Sequence, residues 1–122
     1  MILAVTNEVV FAEMIEKAAG EKQAHGLALA DEDAFWAALQ EETPAVIFVD
    51  VGVMTLDAPA LIEKLKQNPS TRSIPIVAFG NSLRADLLQD AKEMGADLIL
   101  PKSAFQQQLP EMISHYLKKA GK

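Results

Sequence analysis

A chain of 122 residues, half of them apolar and carrying a net charge of −6, can bury a core of its own but lacks the basic surface that binding a nucleic-acid backbone requires. With no cysteine it can form neither disulfides nor thiolate metal sites, which fits a protein of the cytoplasm. No apolar run approaches the roughly 18 residues of a membrane span, and the N-terminus opens on a strand-like segment without a basic leader.

Ile2 to Val5 is a short aliphatic run and reads as a buried strand. From Glu8 to Ala19 apolar residues recur at helical spacing, with Phe11, Ile15 and Ala18 on one side, Asn7 as N-cap and Gly20 as the stop. Ala24 to Ala30 is a weaker second strand. Asp31 caps a helix whose first turn carries Glu32 and Asp33, matching the dipole, and which runs through Phe35, Trp36 and Leu39 to about Gln40.

Pro44 marks the next break, and Ala45 to Val49 is the clearest strand. After a loop from Val51 to Asp57, Pro59 takes the favoured first position of a helix ending near Gln67. Asn68-Pro69-Ser70-Thr71 is a turn, and Ile74 to Phe79 a fourth strand with its proline near the start. Ser82 is placed to cap a helix carrying Leu83, Leu87, Ala91 and Met94, which Gly95 ends. Leu98 to Leu100 is a short fifth strand, and a last helix covers roughly Gln107 to Lys119 with Pro110 in its first turn. The basic cluster Lys118, Lys119 and Lys122 suits the negative end of that helix.

Five strand–helix units in a row, with strands apolar on both faces, predict an α/β fold. Right-handed crossovers favour a five-stranded parallel sheet ordered 2-1-3-4-5 with helices on both faces. Nothing resembles a repeat or a linker, so residues 1–122 read as one domain. In such a sheet the functional crevice lies beyond the carboxyl ends of strands one and three. Asp50, directly after Val46-Ile47-Phe48-Val49, falls there. A carboxylate so placed is costly unless paired, and Lys102 beyond the fifth strand is the expected partner.

The run Ile2-Leu3-Ala4-Val5, the strand ending in Asp50, Ile74-Pro75-Ile76-Val77, and Gly95-Ala96-Asp97 followed by Lys102 together resemble the receiver domain of two-component response regulators. The likeness extends over nearly the whole chain and implies a flavodoxin-like, CheY-like fold. It places Asp50 at the phosphoacceptor position and Lys102 at the lysine that contacts the phosphoryl group. The two acidic residues that receivers use for Mg²⁺ are here Thr6 and Asn7. The Ser or Thr after the fourth strand is Gly80, the switch aromatic three residues before the lysine is Ile99, and the proline after the lysine is Ser103.

These departures imply a degenerate member, a pseudo-receiver. Phosphoryl transfer depends on positioning and charge neutralisation, and Mg²⁺ leans on carboxylates that Thr6 and Asn7 do not supply. Glu8 belongs by phase to the first helical turn and is expected to face solvent or the helix dipole. Gly80 has no hydroxyl to follow a phosphoryl oxygen, and Ile99 has no polar tip, so the differential contacts of a switch are missing. No metal is therefore expected, and no cofactor, with Mg²⁺ entering only if Asp50 is a working phosphoacceptor.

Elsewhere, His25 and His115 stand far apart without a metal pattern; Trp36 reads as a helix-packing residue, and Asp86 with Asp90 as a solvated helix face. Met54 is placed to cover the site, and Asp57 begins the third helix. Phosphate-cradling glycine loops are missing, and the protein is expected to be a binding module rather than an enzyme.

Two functions fit. One is a pseudo-receiver that works through protein–protein contacts on the fourth helix, fifth strand and fifth helix, with Arg84, Gln89, Glu93, Ile99, Gln107 and Gln108 as candidates. The other is a working phosphoacceptor modified on Asp50 by a histidine kinase. The implied partner is a signalling protein, either a histidine kinase or a downstream effector, with the chain as monomer or dimer. A third possibility is an unrelated flavodoxin-like domain binding a small ligand over Asn7 and Asn81.

Overall fold

In the computed structural model, which describes residues 1–121, the aliphatic runs form the sheet and the amphipathic stretches cover it. In chain order the elements are β1 (Ile2–Val5), α1 (Val9–Glu21), β2 (Gly26–Leu29), α2 (Glu32–Glu41), β3 (Val46–Asp50), α3 (Ala58–Gln67), β4 (Ile76–Gly80), a 3₁₀ turn over Ser82–Arg84, α4 (Ala85–Met94), β5 (Leu98–Pro101) and α5 (Lys102–Ala120). All strand pairs are parallel and the order is β2-β1-β3-β4-β5, as the alternating pattern predicts. No helix is long and apolar enough to cross a membrane. Lys122, the third lysine of the C-terminal basic cluster, lies outside the described residues.

Side-chain alternation along the strands divides the core into two layers. Leu3, Val5, Ile47, Val49, Ile76 and Ala78 pack against Phe35 of α2, Leu61, Ile62 and Leu65 of α3, and Leu88 and Ala91 of α4. Ile2, Ala4, Val46, Phe48, Val77 and Phe79 face Phe11 and Ile15 of α1 and Phe105, Leu109 and Ile113 of α5. On this second face Phe105 stacks on Phe79, with centroids 4.0 Å apart, and meets Phe48 edge-on at 5.1 Å. Trp36 behaves as the helix-packing residue it was expected to be. Its Nε1–H donates to Glu32 Oε2 at 3.0 Å and, with Lys64 nearby, holds the Glu32 carboxyl below its ordinary range.

Several boundaries differ from expectation for identifiable reasons. Asn7 does not cap α1: the N-cap is Glu8, without a side-chain cap bond. Gly20 does not stop the helix, which continues through Glu21. The left-handed residue is Gln23 (φ 61°), and the glycine that matters is Gly26, where a Cβ would stand 2.9 Å from that of Ala19 as β2 passes over α1. Pro75 precedes β4 instead of opening it, and β3 and β4 each run one residue further than expected, through Asp50 and Gly80. Asn81, not Ser82, caps the turn before α4 by accepting from the Leu83 N–H, and Leu83 lies in that turn, 86% exposed, rather than on the helix.

The largest difference is α5, which begins at Lys102 and not near Gln107. Phe105 belongs to its buried stripe with Leu109, Met112 and Ile113, so core packing extends the helix backward. Pro110 therefore lies in the helix interior, on the exposed side, where water can serve the Gln106 carbonyl that loses its helical donor. Asp31, Asp57 and Gly95 act as the boundaries their residue types suggest.

The Gly95-Ala96-Asp97 segment is a structural joint. Asp97 Oδ2 accepts from the Ile76 N–H at 2.8 Å and from Lys66 Nζ at 3.1 Å, tying the starts of β4 and β5 to α3. Gly95 turns the chain at φ +122°, and a Cβ there would lie 2.7 Å from Lys66 Cγ. Gly95→Ala should therefore cost more than about 1 kcal/mol, read as a lowered urea midpoint at unchanged slope.

Candidate functional site

Strand register assembles the site. Asp50 pairs with Phe79 and Gly80 with Pro101, so the carboxyl ends of β3, β4 and β5 lie in one rank. Val5 pairs with Val49, which brings Thr6, one residue on, beside Asp50. Lys102 follows Pro101 at the same edge. Asp50, Thr6, Gly80 and Lys102 thus meet at the sheet's carboxyl end. Asn7 is exposed, and Ile99 is partly buried against the layer that α4 covers.

Asp50 is 1% exposed and both of its carboxylate oxygens are engaged within the chain. Oδ2 accepts from Thr6 Oγ1 at 2.8 Å, and Oδ1 from the Gly52 N–H at 2.9 Å. Thr6, itself 3% exposed, also accepts from the Glu8 N–H at 3.2 Å through the same oxygen. One hydroxyl thereby ties the end of β3 to the entry of α1. Among the described residues no buried side-chain polar atom lacks a partner, so this arrangement closes by itself.

The expected Asp50–Lys102 pair does not form. The Lys102 ammonium instead pairs with the Glu8 carboxylate, with both groups partly buried, and sits 5.5 Å from the centroid of the Phe11 ring. Glu8 precedes the first helical turn with extended backbone, which lets its side chain reach across to α5 rather than face solvent. Phase alone could not show this, because the contact spans 94 residues of sequence.

Gly80 has a steric counterpart that the sequence did not reveal. A Cβ at Gly80 would lie 2.5 Å from Val51 Cγ2, so the space a Ser or Thr side chain needs is held by a buried valine from the residue after Asp50. Met54 does not cover Asp50. It is 93% exposed and lines an open groove of about 630 Å³ with Gly52, Leu56, Arg84 and Leu87.

As a Mg²⁺ cage the site is a poor fit. Asp50 is the one carboxylate at its centre, its oxygens are already hydrogen-bonded, and the Glu8 carboxylate is committed to Lys102. Among the described residues no three His, Asp or Glu side chains converge as metal ligands, and His25 and His115 are both exposed and on different elements.

Two stability measurements follow. Thr6→Val keeps the shape but removes both hydrogen bonds of the hydroxyl and should cost about 1–3 kcal/mol in urea unfolding. Gly80→Ala should cost about 1–3 kcal/mol by overpacking against Val51. Adding Val51→Ala should recover part of that loss, giving a double-mutant coupling of about 0.5 kcal/mol or more.

A family model described as "Response regulator receiver domain" matches residues 2–114. No curated protein matches the chain by sequence. Among solved structures, the receiver domain of NtrX from Brucella abortus is similar with a TM-score of 0.82 at 21% identity, over 97% of this chain and 98% of that one. A putative response regulator from Chloroflexus aurantiacus gives 0.82 at 21%, over 96% of each chain. The chemotaxis response regulator CheY4 of Vibrio cholerae gives 0.80 at 18%, over 94% of this chain and 96% of that one. Against a longer NtrX chain from Brucella abortus the match covers 98% of this chain but only 27% of that one. At these identities the structures show a shared fold, and the family model adds the sequence pattern: the chain belongs to the response-regulator receiver family.

Proposed function

We propose that this receiver is a pseudo-receiver: a binding module of a two-component or phosphorelay pathway that acts through protein–protein contacts, without Mg²⁺-dependent phosphorylation of Asp50 and without catalysis of its own. The observation that carries this reading is the internal closure of the site. Thr6 and the Gly52 N–H occupy the Asp50 oxygens, while Glu8 occupies Lys102. A phosphoryl donor would meet a carboxylate already held on both oxygens, with no second carboxylate at the centre to seat a cation. The Val51 methyl stands where a hydroxyl-bearing side chain would meet the transferred group.

The partner is a signalling protein of the cytoplasm, a histidine kinase or a downstream effector. The surface offered to it is the α4–β5–α5 face. Arg84, Gln89, Glu93, Gln107 and Gln108 are exposed there, and Ile99 is partly buried. Along that face Gln89 Nε2 donates to Glu93 Oε2 at 3.5 Å and Arg84 pairs with Asp86 at 3.4 Å, leaving a polar, mixed-charge surface. Asp90, the other carboxylate of that helix, is exposed, as a solvated face requires.

One observation favours the second reading, a working phosphoacceptor modified by a histidine kinase: Asp50 and Lys102 keep the family positions at the ends of β3 and β5. The two readings part on a single experiment. Purified protein is treated with a small-molecule phosphodonor, with and without Mg²⁺, beside Asp50→Asn, and intact mass is recorded. The expected result is no added phosphoryl group under conditions that label an ordinary receiver fully. A Mg²⁺-dependent gain of one phosphoryl group, absent from the variant, would establish the working phosphoacceptor instead.

A further inference from the structure

Lys102 is the first residue of α5, and its ammonium is held by the N-cap and first turn of α1. Glu8 supplies the carboxylate, and Phe11, three residues on and on the same side of the helix, supplies an aromatic face 5.5 Å away. Phe11 is itself fixed by Phe79 at 5.3 Å and Phe105 at 6.1 Å, so the platform under the ammonium is part of the core.

Two further features make this arrangement specific. A cation in the first turn of a helix faces the positive end of the macrodipole, so Lys102 needs a local anion, and the N-cap Pro101 offers no side-chain cap. Ser103 follows Lys102, whereas a proline there would drive the preceding residue out of the helical region. Without that restriction Lys102 joins α5, and its side chain meets α1 rather than Asp50.

We infer that Glu8 is the standing counter-ion of Lys102, a clamp between α1 and α5 that fixes the β5–α5 junction. This deepens the pseudo-receiver reading and rests on it in taking Asp50 as unphosphorylated. Glu8 is the positioning residue. An anion arriving at Asp50 would have to share Lys102 with a carboxylate already in place or displace it, which weakens the coupling of Asp50 to α5.

Backbone amide NMR of the whole chain tests the clamp. Glu8→Gln and Lys102→Met should shift the same amides around Leu100, Ser103 and Ala104, and the double variant should shift them no further than either single one. Asp50→Asn should leave those amides in place while moving Thr6 and Gly52. Ser103→Pro should abolish their sensitivity to Glu8→Gln. The clamp is refuted if Glu8→Gln leaves the junction unmoved, or if Lys102→Met shifts it as much in the Glu8→Gln background as in the parent. Phosphodonor labelling of the parent would sink the functional reading alone, because the amide shifts are read on unlabelled protein.

Discussion

A carboxylate buried at the end of a hydrophobic strand must be satisfied locally, and the loops at the carboxyl edge of this sheet are arranged around that requirement. Asp50 ends β3 inside the core, where an unpaired charge would oppose folding. The chain meets the need with a hydroxyl and a backbone amide rather than with the Lys102 ammonium. Because the same Thr6 oxygen also receives the Glu8 N–H, satisfying Asp50 fixes where α1 begins. That in turn sets where the Glu8 side chain can reach.

From that point the departures from the family pattern behave as a set. Thr6 in place of an acid supplies the donor that Asp50 lacks. Glu8 takes Lys102. Gly80 and Val51 are sterically complementary: the glycine is needed because the valine methyl occupies the space of its missing side chain. At Asp50, Lys102 and Gly80 a neighbour takes the hydrogen bond, the charge or the space. Among the described residues no buried side-chain polar atom is left without a partner. These contacts link the β1–α1, β3–α3 and β5–α5 connections at one edge of the sheet.

What could be read in advance was whatever depends on local pattern. The strand and helix sequence, the sheet order, the caps at Asp31 and Asp57 and the stop at Gly95 follow from apolar period, side-chain chemistry and backbone freedom within a few residues. Pro110 suggests a helix N-terminus by local rules, whereas α5 begins at Lys102 because Phe105 extends it backward for the sake of contacts with Phe48 and Phe79. Leu83 shares the helical spacing of Leu87 and Ala91, but it lies in the turn capped by Asn81 and is exposed to solvent. In both places packing or a short turn overrode the period.

By itself the sequence determined the α/β architecture and brought Asp50, Thr6, Gly80 and Lys102 to one sheet edge, because strand alternation and right-handed crossovers leave little freedom once the apolar runs are fixed. Only the tertiary structure decided which of those groups touch. Thr6 reaches Asp50 across 44 residues and Glu8 reaches Lys102 across 94, and the Val51 methyl fills the space beside Gly80. Such pairings depend on side-chain direction and on ångström-scale space between strand ends, neither of which leaves a periodic trace in the chain.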